Sequence, residues 1–97
     1  MKTLKEIKKI LSTNRRELRD KYGVKELYIF GSLVTDEQTE GSDVDILVEF
    51  YDAPDLLKFI EIERYIEEII GVKVDLVRKT VIRPEIKDAV LEEAIPI

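Results

Sequence analysis

The chain has no cysteine and no histidine. The first absence excludes disulfides and thiolate metal sites. The second excludes Ser-His-Asp and Cys-His catalysis, and zinc held by imidazole. Chemistry here must run on carboxylates, hydroxyls, amines and a metal. No apolar run is long enough to span a membrane, and Met1-Lys2-Thr3-Leu4 lacks a signal-peptide core, so a cytoplasmic address is expected. Positive charge is in deficit, with 16 Lys and Arg against 21 Asp and Glu and a net charge of −5. That balance argues against broad electrostatic binding to nucleic acid. Repeats, linkers and low-complexity segments are also missing, and 97 residues predict one domain, 1–97. A composition of 44% hydrophobic and 38% charged residues is that of a globular chain rather than a disordered one.

The stretch from Gly31 to Asp45 organises the rest. Gly31-Ser32 follows Leu27-Tyr28-Ile29-Phe30, an apolar, aromatic-rich segment that reads as a buried strand. Ten residues later comes Asp43-Val44-Asp45, followed by Ile46-Leu47-Val48, the body of a second strand. Alternation along a strand places Asp43 and Asp45 on one face and Val44 and Ile46 on the other. Two acids on one face repel unless a cation lies between them. A hard dication such as Mg²⁺, held by carboxylates and substrate phosphates, meets that need. Gly31 allows close backbone approach to a ligand, and the following N–H groups with the Ser32 hydroxyl can grip a phosphate. A Gly-Ser pair alone is usually a turn, and Asp-x-Asp alone is usually a solvated strand end. The order strand, Gly-Ser, loop, Asp-x-Asp, strand is much rarer and points to metal–phosphate chemistry.

Around this stretch, Thr3 and Glu6 form the pattern of a capping box. Leu4, Ile7, Leu11, Leu18 and Tyr22 recur at helical spacing, predicting one helix over 4–21 stopped by Gly23. Arg15, Arg16 and Arg19 read as a solvated face. Strands are expected over 24–30 and 43–50, with a short helical turn at 33–35 and a polar loop over 36–41. Asp52-Ala53-Pro54-Asp55 predicts a helix start with Pro in the first turn. Leu56, Phe59, Ile62, Ile66 and Ile69, widened by Ile60 and Ile70, predict the stripe that crosses the sheet, closed by Gly71. A third strand over 72–77 follows, parallel to the second because a helix intervenes. It carries Asp75 on one face with Lys73 and Val77, either as a third carboxylate of the site or as a polar residue on a half-exposed strand. Lys79 and Arg83 read as solvated loop residues, with phosphate contact as the alternative. Pro84 opens a last helix, and Ile95-Pro96-Ile97 is an apolar tail that folds back or docks on a partner. The fold class is α/β (α+β), a small mixed sheet of three or four strands flanked by helices.

Gly31, Ser32, Asp43 and Asp45, at this spacing, resemble the shared motif of the nucleotidyltransferase superfamily that includes DNA polymerase beta. The small size resembles its minimal nucleotidyltransferase branch, similar to the antitoxin halves of HEPN–MNT toxin–antitoxin pairs. The turn departs from many such proteins, continuing Leu33-Val34-Thr35-Asp36 with Thr35 where a basic residue is common. The resemblance implies a third acid at Asp75. It implies two Mg²⁺ ions on Asp43, Asp45 and Asp75, with the ATP β- and γ-phosphates on Gly31 and Ser32. It further implies transfer of AMP onto a hydroxyl, a tyrosine of a HEPN-domain ribonuclease toxin. No residues remain for an acceptor domain, so the acceptor surface belongs to that partner or to a second copy of the chain. The rivals are an antitoxin that binds nucleotide and neutralises by occlusion without turnover, and a nucleotide-binding regulatory module.

Overall fold

Residues 3–31 and 43–97 are described by the structure, a computed structural model. Helix α1 (Leu4–Thr13) begins with the expected capping box: the Thr3 hydroxyl accepts from the Glu6 N–H, and the Glu6 carboxylate accepts from the Thr3 N–H, both at 3.2 Å. The single helix expected over 4–21 is in fact two, because the chain bends at Asn14 and resumes as α2 (Arg15–Tyr22). The cause is local. The Thr13 hydroxyl donates to the Lys9 carbonyl at 2.9 Å, and the Asn14 amide donates to the Ile10 carbonyl at 2.8 Å. Such side chains compete with the backbone for its own acceptors and bend helices. The bend keeps the apolar stripe in phase, since Ile7, Leu11 and Leu18 are each at most 1% exposed. Arg16 and Arg19 pair with Asp20 on the surface, whereas Arg15 donates to the Ile97 carbonyl at 2.9 Å and ties α2 to the chain's tail.

The sheet runs β3-β2-β1-β4 among the described residues. Strand β1 (Val24–Phe30) pairs antiparallel with β2 (Val44–Phe50). Helix α3 (Leu56–Ile70) carries the chain across to β3 (Val74–Arg78), which runs parallel to β2 as the crossover requires. The ladder of β3 therefore starts two residues later than expected from the sequence and extends to Arg78. Helix α4 (Pro84–Glu93) leads into β4 (Ile95–Pro96), antiparallel to β1, and the Ile97 N–H donates to the Leu27 carbonyl at 3.0 Å. The apolar tail thus folds back as an edge strand. At the opposite edge, the N–H groups of Val74 and Leu76 donate to the carboxylates of Glu67 and Glu63 on α3. Those carboxylates occupy donors that an edge strand would otherwise offer to another chain.

One face of the sheet presents Leu27, Ile29, Val44, Ile46, Val48, Val74 and Leu76 to α1, α2 and α3, forming the core. The ridge of α3 that seals it is Ile62, Ile66 and Ile70. Leu56, expected in that ridge, is 72% exposed, and Ile60 also faces water. The physical reason is the helix start: Asp55 is the N-cap, accepting from the Lys58 N–H at 2.8 Å, so Pro54 precedes the helix and its first turn stands beyond the core.

Tyr65 on α3 links the two helical layers. Its hydroxyl donates to the Glu17 carboxylate of α2 at 2.9 Å, and its ring meets Tyr22 at 5.1 Å between centroids. Burial, then the hydrogen bond to Glu17, pushes its pKa from 10.0 up to about 12. The folded state favours the neutral phenol, so this contribution to stability is intact below pH 10 and lost as the pH rises towards 12. An ultraviolet titration of the folded protein is expected to show a tyrosine phase well above pH 10 that Tyr65→Phe removes. The variant is expected to lose about 1 kcal/mol at neutral pH, the value of one ordinary hydrogen bond.

Candidate active site

The second face of the sheet carries the polar residues. Alternation from the core positions puts Glu26, Tyr28 and Phe30 of β1, Asp45, Leu47 and Glu49 of β2, and Asp75 and Val77 of β3 on it. At one end Lys79 bridges Glu49 at 3.2 Å and Glu26 at 3.8 Å, with its ammonium 5.4 Å from the centre of the Tyr28 ring. The Glu49 hydrogen bond raises the Lys79 pKa, and the Tyr28 hydroxyl lowers that of Glu26. Lys79 is therefore neither a solvated loop residue nor free to grip a phosphate. It neutralises two acids at the end of the face remote from Asp45.

The other end brings Asp45 and Asp75 together, with Gly31 against Asp45. Asp45 stands between two register partners, Phe30 on β1 and Asp75 on β3. Asp43 precedes β2 directly and is exposed. Gly31 follows β1 with φ of +77°, and a Cβ built on it would overlap the Asp45 carboxylate, whose Cγ lies 3.0 Å from that point. Turn and carboxylate thus meet at a spot that only glycine fits. Ser32 lies outside the described residues, as do 33–35, the loop 36–41 and Ser42.

The donor set consists of carboxylate oxygens alone, the chemistry suited to a hard dication. Asp45 and Asp75 sit on adjacent strands, about 4.8 Å apart in backbone spacing. Among the described residues no three acidic side chains converge closely enough to hold a metal on their own. An ion here would take its remaining ligands from substrate phosphates, as Mg²⁺ commonly does.

Beside the carboxylates lies a hollow of about 360 Å³ between the sheet and the chain that follows β3. Phe30, Val77, Ile82 and Val90 supply apolar wall, and Asp45, Asp75 and Arg83 line it as well. The hollow was not legible in the sequence. Arg83 was, but as a loop residue; the signal for its position is Pro84, which fixes Arg83 at the start of α4, above the strand that bears Asp75.

Comparison with known proteins agrees with this architecture. The sequence profile of the Nucleotidyltransferase domain matches residues 4–97. Protein adenylyltransferase MntA of Thermococcus cleftensis is 50% identical over 95 residues, spanning 98% of this chain and 96% of the relative. A solved structure described as a candidate minimal nucleotidyltransferase superposes with a TM-score of 0.73 at 33% identity, covering 94% of this chain and 88% of its own. The MNT antitoxin of Shewanella oneidensis, solved with a tri-AMPylated HEPN toxin, shares the fold at a TM-score of 0.65 and 21% identity, over 93% of this chain and 70% of its own. With four strands and flanking helices in the same mixed α/β arrangement, and with the profile matched across almost its whole length, the chain belongs to the nucleotidyltransferase family in its minimal form.

Proposed function

We propose that this protein transfers AMP from ATP onto a hydroxyl of a partner protein, as an antitoxin that modifies a HEPN-domain toxin. The observation that carries the reading is the register of Asp45 with Asp75, with Asp43 two residues upstream and Gly31 pressed against Asp45. The relative of half-identical sequence named protein adenylyltransferase, matched along nearly its full length, supports protein as the acceptor class. The Shewanella complex, whose toxin is tri-AMPylated, supports a HEPN toxin as partner; a tyrosine acceptor is what the family resemblance implies. No helix among the described residues is long and apolar enough to cross a membrane.

In this reading Gly31 and Ser32 hold the β- and γ-phosphates, and Asp43, Asp45 and Asp75 would hold two Mg²⁺ ions. When bound, such ions neutralise phosphate charge and stabilise both the attacking and the leaving oxygen of an in-line displacement. The chain's own part is position. Asp43, just before β2, and Asp45, on it, orient the nucleotide side. Asp75 arrives on its neighbour and faces the acceptor. The acceptor oxygen bonds to the α-phosphorus, the α–β bridging bond breaks, and pyrophosphate leaves. The hydroxyl proton passes to the Asp75 carboxylate, which is exposed and able to receive it. Holding the reactants in line supplies much of the rate.

The test is incubation with Mg²⁺, ATP labelled at the α-phosphate, and the product of the adjacent reading frame. Label on a partner tyrosine, read by mass spectrometry as added AMP, is the expected result. A stable complex that never takes label would replace catalysis with neutralisation by occlusion.

A further inference from the structure

We infer that Arg83 is a catalytic residue of this site, binding the α-phosphoryl group of the nucleotide through its guanidinium. The inference rests on the transfer reaction proposed above and names a residue that the Gly-Ser and Asp-x-Asp motif does not contain.

From the last residue of β3 to the start of α4 the chain carries three cations, and two are committed elsewhere. Arg78 lies on the core face, 5.9 Å from the centre of the Phe59 ring. Lys79 is held by Glu49 and Glu26. Arg83 is the cation that lines the hollow with Asp45 and Asp75, and it forms no salt bridge among the described residues. Its root is rigid. Pro84 restricts the backbone of the residue before it, and Arg83 sits at φ −59° and ψ 135° as N-cap of α4. Its carbonyl accepts from the N–H groups of Ile86 and Lys87 at 3.1 and 3.0 Å.

The location selects the phosphate. The hollow is lined by Asp45 and Asp75, the pair that spans the nucleotide side and the acceptor side. In the proposed reaction the phosphorus would be attacked between those two sides, so a guanidinium lining this hollow would be placed to meet its non-bridging oxygens. Arginine's planar fork of donors matches two such oxygens at once, which the point charge of lysine does not.

The experiment compares wild type, Arg83→Gln and Arg83→Lys in transfer to the partner, using ATP and the two diastereomers of ATP with sulfur on the α-phosphate. Arg83→Gln is expected to lower kcat about 100-fold, the usual effect of losing one donor to a reacting oxyanion, and to move KM for ATP less than about threefold. The preference between the diastereomers is expected to shrink about tenfold, and lysine to restore only a minor part of kcat, while the melting temperature holds. An unchanged diastereomer preference, or kcat within about threefold of wild type, overturns the role of Arg83 and leaves the proposed reaction standing. Absence of any transfer by the wild type with its partner overturns that reaction and the inference together.

Discussion

Asp45→Asn is expected to abolish AMP transfer, lowering it at least on the order of a thousand-fold, while the protein stays folded. Asp45 is the carboxylate between the other functional groups, with Asp75 beside it on β3 and Gly31 against it from β1. An amide in its place keeps the shape and removes the charge. The proposed Mg²⁺ site would lose one of its ligands, and Mg²⁺-dependent ATP binding is expected to fall with the activity. Stability is expected to change little, because the amide keeps the shape of the side chain and Asp45 lies on the face of the sheet opposite the core. Calorimetry and the labelled-ATP assay read the two effects on the same sample. Full transfer by the variant would remove Asp45 from the reaction, and a lowered melting temperature would show that its loss acts through the fold.

Much of this site is legible in the sequence because strand alternation is a strict rule. Once 43–50 is read as a strand, Asp45 must take the face opposite Val44 and Ile46, and once a helix precedes Asp75 its strand must run parallel; Asp43, expected within the strand, lies just before it. These constraints set face and direction, and the register that pairs Asp45 with Asp75 is added by the fold. Features set by side chains reaching across the fold are less legible. Asn14 breaks the first helix through a bond from its own amide to Ile10, against an apolar periodicity that runs on undisturbed. Leu56 has the spacing of a core residue, yet the helix begins before the sheet does. Leu47, fully buried on the polar face, carries no mark that separates it from its core-face neighbours in the run Ile46-Leu47-Val48. Lys79 and Arg83 look alike in the sequence as cations after a strand. The 3₁₀ turn at Lys79–Val81 sends the first towards Glu49, and Pro84 sets the second beside Asp75.

Gly31→Ala tests how much of the chemistry depends on the turn, and Gly23→Ala isolates the part that does not. Both glycines have positive φ, +77° at Gly31 and +70° at Gly23. An alanine at either is expected to cost about 1–2 kcal/mol of backbone strain. A domain of this size then loses roughly 4–16 °C in melting temperature. The surroundings differ. A Cβ at Gly23 meets nothing within 4 Å, whereas at Gly31 it drives into the Asp45 carboxylate. Asp45 or the end of β1 must shift to make room. A displacement of about 1 Å at a reacting centre is enough to cost about 100-fold in rate. Gly31→Ala is therefore expected to lose about 100-fold in transfer and to bind Mg²⁺·ATP more weakly, in addition to its lower melting temperature. Gly23→Ala is expected to show the stability loss with wild-type kcat at a temperature where it is fully folded. Equal, near wild-type turnover in both variants would mean that the approach of Gly31 to Asp45 serves the turn alone. Equal loss in both would mean that activity tracks stability, and the assignment of Gly31 to the site would fall.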